Sequence, residues 1–176
     1  MRLDFAVIES RLYQSCLEFI SNFSTTENNQ DVYVFALDCD DDGGSVVMLI
    51  NTESEFLKTA DKFPQYSYMY GERGLYGPCG YKYDVSSFKF RKHLFFEEYY
   101  NLMIECDVPA DKQVFYRKQF NKLIVNVIQK IKPFNLLKKT ETFVSYYTLH
   151  DVDCISTISL MRKTITDQEF KRTFRI

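Results

Sequence analysis

Two short apolar runs, Val32–Leu37 and Val46–Ile50, face each other across the eight residues DCDDDGGS, and this arrangement constrains the fold more than any other feature of the chain. Both runs are rich in β-branched and aromatic residues, the composition of strands. The segment between them is a turn by chemistry: glycines reach positive φ and aspartates hydrogen-bond their own backbone. A β-hairpin near the N-terminus is the economical arrangement. It must be covered, because an isolated hairpin with apolar faces is not stable in water.

Helical periodicity supplies the cover. Phe5, Ile8, Leu12, Cys16, Phe19 and Phe23 recur at spacings of three and four within residues 3–23, one face of an amphipathic helix. Tyr116, Phe120, Leu123, Ile124, Val127, Ile128 and Ile131 form the cleanest such stripe, with Pro109 suited to its first turn and Pro133 ending it. Thr52 and Glu55 in NTESEF fit a capping box, so a short helix is expected there with Phe56, Leu57, Ala60 and Phe63 inward. Ser86 or Ser87 is expected to cap a further helix running to about Cys106 and carrying His93 on its surface. Thr142–Leu149 reads as a third strand, residues 154–161 stay ambiguous between helix and strand, and Asp167–Phe174 reads as a terminal helix.

The expected fold is therefore α/β of the α+β kind: a small, largely antiparallel sheet containing the N-terminal hairpin and covered by several helices. At 176 residues, residues 1–176 form a single domain. The longest stretch without charge, Gly43–Thr52, is too short to span a bilayer, and Asp4, Glu9 and Arg11 interrupt any leader-like apolar core. A cytoplasmic protein with no membrane association is expected. The five cysteines, Cys16, Cys39, Cys79, Cys106 and Cys154, show no C-x-x-C or zinc-finger spacing, so all are expected to stay reduced, with Cys16 and Cys106 as small core residues.

The net charge of −2 disfavours a general polyanion binder, but it conceals an asymmetry. Residues 1–110 hold 18 acidic and 9 basic residues, a balance of −9, whereas residues 111–176 hold 6 and 13, a balance of +7. Asp38, Asp40, Asp41 and Asp42 form the densest acidic cluster. They fail the calcium-loop pattern, which requires a glutamate at the twelfth position, and read as a solvated turn or as a patch that steers a basic protein partner. Tyr66, Tyr68 and Tyr70 alternate, so in a strand they would share one face, as core residues or as interface anchors. The basic residues Lys130, Lys132, Lys138, Lys139, Arg162, Lys163, Lys171, Arg172 and Arg175 are interrupted by apolar positions and read mainly as solvated helix faces.

Catalytic apparatus is sparse. In His150-Asp151-Val152-Asp153 an imidazole stands beside two carboxylates, types that bind metals or orient a general base, yet a polar turn after a strand has the same composition. No phosphate loop, nucleophile elbow or H-E-x-x-H spacing accompanies it. No catalytic residue, metal or cofactor is expected.

The segment DVYVFALDCDDDGGSVVMLINTESEF (residues 31–56), with its strand, acidic turn, second strand and N-T-E helix start, resembles a bacterial domain family of unknown function found among immunity genes of polymorphic and contact-dependent growth inhibition toxin systems. FVSYYTLHDVDC is similar to that family's late strand and acidic turn. The resemblance implies an α/β protein, not an enzyme, that neutralises a cognate toxin domain by protein–protein contact, with no direct nucleic acid contact. On that reading Asp38, Asp40, Asp41 and Asp42 are the first candidates for a surface facing a basic nuclease, with Tyr66, Tyr68 and Tyr70 as anchors. Two alternatives remain: a small metal-dependent enzyme using His150, Asp151 and Asp153, and a nucleic-acid adaptor using the basic C-terminal third.

Overall fold

A computed structural model of the chain describes residues 3–62, 75–105 and 108–174. The elements run α1 (Phe5–Ser24), β1 (Val32–Asp40), β2 (Ser45–Thr52), α2 (Glu53–Lys62), β3 (Phe90–Phe95), α3 (Glu97–Tyr100), a π-helical turn (Asn101–Glu105), α4 (Ala110–Ile131), β4 (Lys139–Leu149), α5 (Cys154–Met161) and α6 (Asp167–Phe174). The sheet order is β3-β2-β1-β4; β1–β2 and β2–β3 pair antiparallel and β1–β4 parallel. This is an α+β fold on a mostly antiparallel mixed sheet, as the sequence implied.

Both faces of the sheet are covered, which explains why β1 is an unbroken apolar run rather than an alternating one. One face, with Phe35, Leu37, Cys39, Val46, Met48, Ile50 and Tyr147, packs under the stripes of α1 and α4. The other, with Tyr33, Val34, Ala36, Leu49, Val144 and Tyr146, packs against Phe56 of α2, Met161 of α5 and Phe170 and Phe174 of α6. The second face also encloses a lysine. Lys82 is buried, its ammonium bonded to Glu53 at 2.6 Å and stacked over the rings of Tyr33, Phe56, Tyr76 and Tyr83, so its charge is paired and its methylenes fill the core.

The hairpin, the stripes of α1 and α4, and the terminal helix stand where the sequence placed them. The ambiguous 154–161 segment is helical. The cap of α2 is half the expected box: Thr52 Oγ1 accepts from the Glu55 N–H at 3.3 Å, but the Glu55 carboxylate pairs with Lys58. Phe56 is buried and Leu57 is exposed; Phe63 and Cys106 lie outside the described residues.

Two expectations are corrected. The helix expected from Ser86 or Ser87 to Cys106 is instead a 3-10 turn at Val85–Ser87, then strand β3, then α3 and the π turn. The strand wins because FRKHLF alternates: Phe90, Lys92 and Leu94 are half-buried while Arg91, His93 and Phe95 are exposed, and β2 offers an open edge to pair with. His93 thus lies on an edge strand. The cysteines are not all free: Cys79 and Cys154 form a disulfide with Cα atoms 5.7 Å apart. Their 75-residue separation gives no local signal, since the pairing is created by tertiary placement.

Candidate functional site: the acidic end of the sheet

The C-terminal ends of the parallel pair β1 and β4 and the β1–β2 turn all fall at one end of the sheet. The register places Cys39 opposite Leu149, and the His150 N–H donates to the Cys39 carbonyl at 2.8 Å, which brings the aspartate-rich turn beside the HDVD turn. Crevices outside the carboxyl ends of parallel strands are where α/β sheets commonly hold ligands. β3 ends here too, Phe95 opposite Ser45, so Glu97 and Glu98 join the same end.

Each aspartate of the β1–β2 turn has a separate fate. Asp40 Oδ1 accepts from the backbone N–H groups of Asp42 (3.0 Å) and Gly43 (2.8 Å), closing the turn on itself. Asp41 accepts from Asn121 of α4 at 2.6 Å, and burial pushes its carboxyl above the ordinary aspartate range against that hydrogen bond. Asp42 is the exposed member and pairs with Arg117 of α4. Tyr99 donates to the Asp41 carbonyl at 2.8 Å and the Phe96 N–H to the Gly44 carbonyl at 3.0 Å, so the turn is braced from below.

Asp38 points the other way. Burial raises its carboxyl above the usual range, opposed by His150, whose Nδ1 lies 3.5 Å from Oδ2; Oδ1 is buried without a hydrogen-bond partner. Asp151 lies 3.8 Å from His150 Nε2, nine-tenths exposed and at φ 57°. Asp153 caps α5, accepting from the Ser156 N–H at 2.8 Å, and that backbone bond holds its carboxyl below the ordinary range. Asp38, His150 and Asp151 line a cleft of about 380 Å³ together with Asp84, Tyr146 and the Cys79–Cys154 bridge. Among the described residues its lining contains carboxylates but no lysine or arginine.

The structure therefore joins what the sequence kept apart, bringing Asp38 of the acidic turn to His150 of the HDVD turn. Asp84 was missed; its only local signal is the Asx turn it makes with the Ser86 N–H. Cys79 and Cys154 were missed as a pair, and Asn121 and Arg117 as braces. Tyr66, Tyr68 and Tyr70 lie outside the described residues. Among the described residues no group of three or more His, Cys, Asp or Glu side chains is placed to hold a metal ion, and no helix is long and apolar enough to cross a membrane. Four of the C-terminal bases are engaged within the molecule: Lys130 with Glu9, Lys132 with Glu169, Arg162 with Asp167, and Lys139 with the carbonyls of Lys132 and Phe134.

Comparison with family models matches residues 12–159 to the family described as Domain of unknown function (DUF4303). The chain belongs to that family. The match runs from within α1 into α5, so it covers the whole sheet and both turns that build the acidic end. No curated protein and no solved structure matches the chain.

Proposed function

We propose that this family member is an immunity protein that binds and neutralises a cognate bacterial toxin domain, a basic nuclease of a contact-dependent inhibition system, by protein–protein contact in the cytoplasm. The observation that carries the reading is the gathering of Asp38, Asp40, Asp41, Asp42, Glu97, Glu98, Asp84, Asp151 and Asp153 at one braced end of the sheet, where the arginines paired to them are Arg117 at Asp42 and Arg11 at Glu98. Carboxylates held on rigid elements present a field that attracts a cationic partner and stands in for the phosphates such a partner binds. The resemblance of residues 31–56 to immunity-associated domains supports the same reading. The metal-enzyme alternative draws no comparable support, since Asp153 is engaged as a helix cap.

The test is expression of the toxin domain encoded beside this chain, in susceptible cells with and without the protein. Protection together with a purified one-to-one complex is the expected result; absence of both would remove the proposal. Asp42, Glu97 and Asp151 are exposed, so the triple reversal D42K/E97K/D151K should fold and should slow association about tenfold at low salt, with the difference shrinking as salt is added. An unchanged association rate would leave neutralisation standing but move the interface elsewhere.

A further inference from the structure

The disulfide closes one side of the acidic cleft. Pro78 and Cys79 line it from one side, Cys154 and Thr157 from another, with Asp38 and His150 also in the lining. We propose that Cys79 and Cys154 are a redox-active pair that opens and closes this cleft by thiol–disulfide exchange with a soluble thiol such as glutathione or its disulfide. The inference goes beyond the neutralising role and does not depend on it.

Three observations carry it. Both bridged cysteines are exposed and reachable by a small thiol, whereas Cys16 and Cys39 are buried, and burial pushes their thiols far above the ordinary range, the mark of inert core sulfur. Each half of the bridge is also anchored by contacts other than the disulfide. On one side Leu75 and Tyr83 are buried, and the Gly80 N–H bonds to Gly77 and that of Tyr83 to Gly80. On the other, Asp153 caps α5 while Leu160 and Met161 anchor it in the core. Opening the bridge therefore removes one covalent tie while these contacts still anchor both flanks, so the change falls on the cleft lining rather than on the fold. Finally, Cys154 is the first residue of α5, so a departing sulfur stands at the positive end of the helix, which offsets part of the repulsion from the neighbouring Asp153 and Asp151 carboxylates.

The exchange balances without a further reactant. A reductant thiolate attacks Cys79 Sγ, the S–S bond breaks, and its electron pair leaves on Cys154 Sγ. A second thiolate, from a second glutathione, then attacks the reductant's sulfur in the mixed disulfide and releases Cys79. Two electrons and two protons pass to the protein, and the reductant departs as a disulfide; a disulfide oxidant runs the sequence in reverse.

The chain contains only two histidines, which gives a clean readout: His150 lines the cleft, while His93 sits on β3 and is no part of its lining. The purified full chain is equilibrated in glutathione buffers from fully oxidised to fully reduced, and thiols are counted after denaturing alkylation alongside the histidine ring signals by NMR. The expected result is two additional thiols on reduction, a half-point inside the range that glutathione buffers, and a shift of the His150 signals with His93 unmoved. C79S/C154S should show the reduced-form His150 signals under every condition. A bridge that never forms, or one that stays intact in excess reduced glutathione, overturns the redox activity. Reduction that leaves His150 unmoved overturns control of the cleft.

Discussion

At the scale of single residues, the most exacting positions are those whose polar or backbone demands are met only once. The Tyr33 hydroxyl donates to the Lys82 carbonyl at 2.6 Å and accepts from Asn51 Nδ2 at 2.9 Å, all within the core. Tyr33→Phe keeps the ring but strands both partners, so it should cost about 1–3 kcal/mol in denaturant unfolding. Gly44 adopts φ 69°, and a Cβ there would lie 2.9 Å from Tyr99 Cδ1 and 3.2 Å from the Phe96 carbonyl oxygen. Gly44→Ala should therefore cost about 1–3 kcal/mol from backbone conformation, and more from displacing Tyr99, the residue that braces the acidic turn. Asp38 yields a prediction with a definite sign. Burial raises its folded-state pKa, so between the ordinary aspartate range and that raised value the folded chain holds a proton that the unfolded chain has lost, and Asp38's contribution to stability falls as pH rises through that window. Asp38→Asn removes the penalty. The variant should melt higher than the parent at neutral pH, with the advantage vanishing as pH falls below the ordinary aspartate range. An advantage independent of pH would show that the charge is not its source.

At the scale of elements, α4 ties the layers together and carries the clearest test of packing. Phe120 is fully buried, 4.6 Å from the Tyr99 ring and 6.1 Å from that of Phe96 between centroids, so one side chain joins α4 to the segment that supports the β1–β2 turn. Phe120→Ala should cost about 3–5 kcal/mol in equilibrium unfolding. It should also loosen the acidic turn, measurable as faster amide exchange at Asp42 and Gly43, whose N–H groups bond to Asp40. Elements whose side chains repeat with one period over several turns were legible in the sequence: α1, α4 and the two buried strands of the hairpin. β3 was not, because six residues with three charged or imidazole side chains match a polar helix face as well as an edge strand, and only the open edge of β2 decides between them. The parallel pairing of β4 with β1 was likewise invisible, since a strand's own pattern does not report its partner's direction. The candidate site divides in the same way. Its local acidic cluster could be read directly, but the meeting of Asp38 with His150 and of Cys79 with Cys154 depends on that pairing.

At the scale of the whole molecule, the opposed charges of the two portions of the chain meet in part across α1, α4 and the hairpin, where Lys130 pairs with Glu9 and Arg117 with Asp42. Exposed bases such as Lys112, Lys118, Lys122, Lys171 and Arg172 lie on the helices, while exposed Asp42, Glu97 and Asp151 belong to the acidic end of the sheet, so the surface is more polarised than the net charge alone suggests. The disulfide acts at this same scale, because it links positions 75 residues apart. Loop-closure entropy for a crosslink of that length sets a ceiling of about 4 kcal/mol on the stability it adds. Since about 1 kcal/mol moves the melting temperature of a domain this size by roughly 2–4 °C, that ceiling corresponds to a loss on the order of 10 °C on reduction. A thermodynamic cycle connects this figure to the redox behaviour: the stability the bridge confers on the fold equals the free energy by which the fold favours the bridge over the thiols. A bridge that glutathione can open is favoured only modestly, so its contribution to stability must fall short of the ceiling. Reduction should accordingly lower the melting temperature measurably but by less than about 10 °C, and C79S/C154S should melt at the reduced protein's temperature with or without reductant. A loss at the full ceiling, together with resistance to glutathione, would mark the bridge as a permanent staple.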